Sequence, residues 1–225
     1  MTADQVNRLI DAVAHLLGVL VWPAVVVFLF VRFGGPIAGF LRNIGELNLK
    51  AAGVEATAKS REVAAAALGA AETVRATDDG AAIAASDPSD IAEALPGPRA
   101  LRRLRGARVL WVDDRPDNNR YERQALEAFG IQIELSESTG DAMDKVRRRP
   151  YELIISDMGR PPDARAGYTL LDGLRAAGYR TPFVIYAGSR APEHDREARE
   201  HGALGCTNRP QELVRMVTEE LSSRR

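Results

Sequence analysis

One cysteine, Cys206, stands in a chain of 225 residues, so no internal disulfide can form. That scarcity fits a reducing compartment. Histidine is nearly as rare, with three residues, and no Cys/His spacing of the zinc-binding kind occurs. His194 and His201 lie near Cys206 in sequence. The cysteine nevertheless sits in a short apolar run, which makes it core rather than nucleophile. A Gly-rich phosphate loop and a Gly-x-Ser-x-Gly elbow are both missing, so independent catalysis is not expected. Neither sign of charge dominates: 30 basic residues face 31 acidic ones. The chain therefore lacks the basic footprint of a nucleic-acid binder. No internal repeat is visible.

Charge is absent altogether from one stretch. Between Ala12 and Val31, "AVAHLLGVLVWPAVVVFLFV" holds no Asp, Glu, Lys or Arg. A helix of about 20 residues rises about 30 Å, the thickness of a bilayer's hydrocarbon core. Its apolar residues cover every face, Asp11 and Arg32 bracket it, and Pro23 is better tolerated in membrane helices than in soluble ones. A cleaved signal peptide fits less well, because the leading segment is acidic and no small-x-small site follows. The sequence thus predicts a short tail over 1–11 and an uncleaved transmembrane helix over 12–33. Arg32, Arg42 and Lys50 follow the run and only Arg8 precedes it. The positive-inside tendency therefore predicts a single-pass protein of the inner (cytoplasmic) membrane with its C-terminal bulk in the cytoplasm.

Residues 36–76 are expected to be helical. Ile37, Phe40, Leu41, Ile44 and Leu47 share one face, open to a membrane interface, a partner chain or the protein itself. The alanine-rich part from Ala56 to Ala76 shows heptad spacing at Ala56, Ser60, Val63, Ala67, Ala70 and Val74. It is read as a solvated helical stalk, with a thin coiled-coil seam as the alternative. Residues 77–99 read as an acidic, proline-closed linker with one short helix at Asp90 to Leu95.

From residue 100 to 225 the texture changes to strand followed by helix, five times over. The strands are "ARVLWV", "IQIELS", "ELIIS", "TPFVIYA" and "ALGCT". Five such units in about 120 residues predict an α/β fold with one open parallel sheet and helices on both faces. Ligands in such sheets bind beyond the carboxyl ends of the strands. Asp113 and Asp114 follow the first strand and Asp157 follows the third. In a sheet ordered 2-1-3-4-5 those two strands are neighbours, and the three acids converge. Each acid alone could be a helix cap or a loop residue. Together they repel unless a cation joins them or some are protonated. A hard divalent cation with oxygen ligands, most simply Mg²⁺, meets that need, and one acid could attack phosphorus.

These residues resemble the receiver domain of two-component response regulators, which has a flavodoxin-like fold. The resemblance covers about Gly106 to Leu221. "VDD" is similar to the family's acidic pair, and "ISDMGRP" to its phosphoacceptor segment. The resemblance implies Asp157 as phosphoacceptor and Mg²⁺ held by Asp113, Asp114, Asp157 and the backbone carbonyl of Gly159. It implies a histidine kinase or small phosphodonor as partner. The pattern departs from the family in three places. Ala187 stands where the family has Thr or Ser, with Ser189 two residues on as a substitute hydroxyl. Arg209 stands where the family has Lys, and Cys206 where it has an aromatic residue. The expectation is a membrane-tethered receiver-like switch signalling through a protein partner or self-association. The alternative is a pseudo-receiver that senses a ligand or partner without phosphorylation. No DNA-binding, cyclase or hydrolase segment is read here, so output through contact or through the apolar segment is expected.

Overall fold

The structure, a computed structural model, describes residues 55–75, 88–187 and 192–224. The expected tail, transmembrane helix and juxtamembrane face all precede residue 55 and lie outside the described residues, as does Ser189. Among the described residues no helix is long and apolar enough to cross a membrane.

Five strands form one parallel sheet in the order β2-β1-β3-β4-β5, as the alternating pattern predicts. They are β1 (Arg108–Val112), β2 (Gln132–Ser136), β3 (Leu153–Ser156), β4 (Phe183–Tyr186) and β5 (Gly205–Thr207). Helices α4 (Arg120–Ala128), α5 (Thr139–Arg148), α6 (Ala166–Ala176), α7 (Pro192–Glu200) and α8 (Pro210–Ser223) follow them in turn. A single 3-10 turn, Pro116–Asn119, precedes α4. β1, β3 and β4 are apolar almost throughout because helices cover both of their faces. Local chemistry sets the element ends. Ser138 accepts a hydrogen bond from the Asp141 amide and caps α5. Gly178 closes α6 with φ 87°, a conformation that other residues rarely adopt.

Side chains alternate across the sheet, so each strand feeds two cores. One core holds Leu110, Val112, Ile154, Phe183 and Ile185 with residues of α5 and α6. Val109, Trp111, Leu153, Ile155 and Val184 enter the other with α4 and α8. That second core also contains residues from well upstream.

Here the structure corrects the expected domain plan. Residues 55–75 are helical (α1), but α1 is no solvated stalk. Ala64, Ala67, Leu68 and Ala71 are buried, and the first three belong to the same apolar cluster as Leu104, Trp111 and Leu126. The buried stripe follows i, i+3, i+4, i+7, the pattern of a helix docked on a core. Val63, assigned to the coiled-coil seam, is 46% exposed. The short helix expected at Asp90 to Leu95 is present as α2 (Pro88–Ala94). It and α3 (Pro98–Leu104) pack on α8, so the stretch from Pro88 onward is not free linker. The compact unit begins at Glu55, not at residue 100. Alanine-rich composition identifies a helix but not its partner, because small side chains suit a solvated stalk and a close packing face equally.

Candidate functional site

The register of the sheet places the acids. Val112 of β1 pairs with Ser156 of β3, so the residues after them, Asp113 and Asp157, leave the same sheet edge side by side. Backbone bonds continue the ladder there: the Asp113 amide donates to Ser136 O at 2.8 Å, and the Asp157 amide to Val112 O at 2.9 Å. Carboxylate oxygens of Asp113, Asp114 and Asp157 lie within 4.8 Å of one another. They open on a cleft of about 460 Å³ that Gly159 and Ala187 also line.

Each acid is held differently. Asp113 is buried and accepts from the Arg115 amide at 2.7 Å and from the Asn119 side-chain amide. Asp114 is half-buried and pairs with the mostly exposed Arg115 at 3.6 Å. Asp157 accepts from the Met158 amide at 2.8 Å. Burial, and then the charge of Asp113, push the Asp157 carboxyl up to about 6, against the pull of the Met158 amide and Arg160. A cation would relieve the resistance of the Asp157 carboxyl to ionisation. Three carboxylates and an adjacent backbone carbonyl form a hard oxygen set of the kind that suits Mg²⁺. The residues present therefore fit that ion.

The loop after Asp157 is fixed by two residues that the sequence reading passed over. Arg160 is 4% exposed. Its guanidinium donates to Ser156 Oγ at 2.6 Å, Asp157 O at 2.7 Å, Thr139 Oγ1 at 3.1 Å and Ala166 O at 2.9 Å. Burial lowers its pKa while the nearby acids oppose that shift, Asp157 most of all. Gly167 lies against the same turn: an added Cβ would sit 3.0 Å from Asp157 O and 3.2 Å from Met158 Cα. Its amide also donates to Met158 O at 2.9 Å. Only glycine permits that approach without displacing the acceptor's backbone. A glycine ten residues after the acid was the available signal.

The remaining sequence-derived candidates divide. Ala187 lines the cleft and brings no hydroxyl. Arg209 does not join the acids. Its side chain borders a separate hollow with Asp90, Glu93 and Glu212, while its amide donates to Thr207 Oγ1 at 3.1 Å. Cys206 is a buried thiol, raised to about 11 by desolvation and then by Asp195 and Glu212. It is core, as its apolar setting predicts. The aromatic residue near the cleft is instead Tyr186, at the end of β4. Its ring meets Trp111 edge-on at 5.9 Å, and its hydroxyl donates to Glu122 at 2.7 Å. A cation enters the cleft from outside the strand–helix repeat. Arg75, near the end of α1, lines it.

Comparison with known proteins points to one family over the segment that carries the site. The family model of the response regulator receiver domain matches residues 109–219. The sensor histidine kinase RcsC of Salmonella typhimurium is 27% identical over 102 residues, 45% of this chain and 10% of that protein. The gliding motility regulatory protein of Myxococcus xanthus is 32% identical over 106 residues, 46% of this chain and 13% of that protein. The chain thus spans about a tenth of the length of these curated relatives. Among solved structures, the receiver domain of the Francisella response regulator 1452 aligns with TM-score 0.47 and 21% identity, covering 53% of this chain and 98% of that one. With its 2-1-3-4-5 sheet and its acids at the β1 and β3 edges, the segment 109–219 belongs to the response regulator receiver domains of two-component systems.

Proposed function

We propose that this chain is a membrane-tethered receiver switch that takes a phosphoryl group on Asp157, with Mg²⁺ held by Asp113, Asp114, Asp157 and the Gly159 carbonyl. The carrying observation is the convergence of the three carboxylates within 4.8 Å. A carboxylate oxygen of Asp157 attacks phosphorus in a histidine kinase's phosphohistidine or a small phosphodonor. The bond from phosphorus to the donor breaks, and its electron pair stays with the donor. The product is an acyl phosphate. The ion, when bound, offsets the negative charge that the acids and phosphoryl oxygens bring together. The Met158 amide on Asp157 and the Arg160 clamp hold the acceptor and its loop in place. The resulting signal passes through protein contact.

The full chain incubated with Mg²⁺ and a small phosphodonor is expected to gain the mass of one phosphoryl group, and Asp157→Asn to gain none. No gain in the wild type, or an equal gain in Asp157→Asn, removes the phosphoacceptor reading. Tethering rests on the uncharged run from Ala12 to Val31. Deleting residues 12–31 is expected to move the protein from the membrane pellet to the supernatant.

A second reading is favoured by the missing hydroxyl at Ala187 and by Arg209 facing a different hollow. In it, the domain is a pseudo-receiver that works as an interaction module without phosphorylation. Cellular output that survives Asp157→Ala but not deletion of residues 12–31 selects it.

A further inference from the structure

Arg75 lines the acidic cleft and reaches the 3-10 turn, α4, the loop after β5 and the end of β4. Its Nη2 donates to Asn119 Oδ1 at 2.9 Å, its Nε to Glu122 Oε1 at 3.1 Å and its Nη1 to the Asn208 carbonyl at 3.3 Å. The guanidinium lies over the Tyr186 ring, 4.1 Å from its centroid. Asn119 in turn donates to Asp113, and the Tyr186 hydroxyl donates to the same Glu122 oxygen that Arg75 reaches. Two short paths therefore run from α1 to the site. One passes through Asn119 to an acid of the cluster, the other through Glu122 and Tyr186 to the wall formed by Ala187.

The charge inventory gives Arg75 its meaning. Among the described residues lining the cleft, two carry positive charge, Arg75 and Arg115. Arg115 has 72% of its side chain exposed, against 19% for Arg75. Arg209 borders the other hollow. A phosphoryl group on Asp157 would replace the single carboxylate charge with about two on the phosphoryl oxygens, about one further negative charge in this cleft, and a partly buried guanidinium fork is a strong partner for phosphate oxygens.

Resting on the phosphoacceptor reading above, we infer that Arg75 is the cation that engages the phosphoryl group, so that α1, upstream of the receiver domain, senses the state of the site. Coupling is reciprocal: a phosphoryl group that attracts Arg75 tightens the docking of α1, and loss of Arg75 weakens retention of the phosphoryl group. α1 thereby links the site to the segment that precedes residue 55.

The test uses the full-length chain in detergent, with beryllium fluoride and Mg²⁺ as the phosphoryl mimic. Binding is followed by calorimetry, and amide exchange is followed over residues 55–75. Arg75→Ala leaves the buried Glu122 without its cation. A second variant, Arg75→Met with Glu122→Gln, removes both charges while keeping an acceptor for the Tyr186 hydroxyl. Unchanged amide protection in β1 and β3 verifies the fold of each. In the wild type the mimic is expected to bind and to raise protection over 55–75. In both variants affinity falls about tenfold, the size expected for one lost charge-assisted bond, and the rise in protection is lost. Arg75→Lys keeps part of each effect. Variants that bind like wild type and still show the rise overturn the role of Arg75 and leave Asp157 as acceptor. A wild type that neither binds the mimic nor gains phosphoryl mass overturns both.

Discussion

At the residue scale, the acids were legible because their type and position coincide with two strand ends, and a strand end is a pattern in sequence. Arg160 and Gly167 were not, since one is read as a surface cation and the other as an ordinary glycine until the turn after β3 closes on them. Arg209 was assigned to the site by its place in sequence, yet its side chain borders another hollow; position along a chain does not set a rotamer. Asp157 carries the sharpest pH prediction. Its carboxyl lies at about 6 against an ordinary 3.8, so the native state binds a proton more tightly than the unfolded chain does. Metal-free stability is therefore highest at low pH within that window and falls as pH rises through about 6. The rise from 3.8 to about 6 corresponds to about 3 kcal/mol, discounted to about 1–2 kcal/mol for solvent screening at this half-buried site. Protons and Mg²⁺ compete for the same oxygens, so Mg²⁺ affinity is expected to fall up to about tenfold per pH unit below that value. Calorimetric titrations with Mg²⁺ between pH 5 and pH 8, set beside the same series on Asp157→Asn, check both the direction and the residue. An affinity flat across that range contradicts it.

At the element scale, every strand and helix of the repeat falls where apolar runs and helix-closing signals place it, to within a few residues. The reason is local: period-two and period-3.6 patterns are properties of short windows. α1 shows the limit of that reasoning. Its helicity follows from its alanines, but which face is buried depends on a surface contributed by α3, α4 and α8. Leu68 is fully buried and Val63 is 46% exposed. Leu68→Ala is expected to cost about 2–5 kcal/mol, and Val63→Ala to stay within about 0.5 kcal/mol, by urea denaturation of the full chain. A solvated stalk would leave both variants unchanged, and a coiled coil seamed at Val63 would reverse their order.

At the scale of the molecule, the compact unit runs from Glu55, so the receiver domain carries an upstream helix as part of its core. A chain truncated to residues 55–225 is expected to unfold in one cooperative transition. One truncated to residues 100–225 exposes the apolar cluster around Leu104, Trp111 and Leu126 that α1 covers, and its midpoint falls. Equal midpoints for the two would show that α1 adds nothing to the core. The strand–helix alternation, the parallel sheet and the acids at its carboxyl edge were all determined by the order of residues along the chain. Short-range periodicity selects the elements, and chain connectivity with right-handed crossovers restricts how they assemble. Tertiary structure alone decided that Arg75 enters the cleft while Arg209 borders another hollow, and that an alanine-rich helix belongs to the domain. These outcomes depend on contacts between segments dozens of residues apart, Arg75 with Glu122 and with Asn208 among them. Such contacts form where buried surfaces complement one another, a property of the packed fold and of no local window.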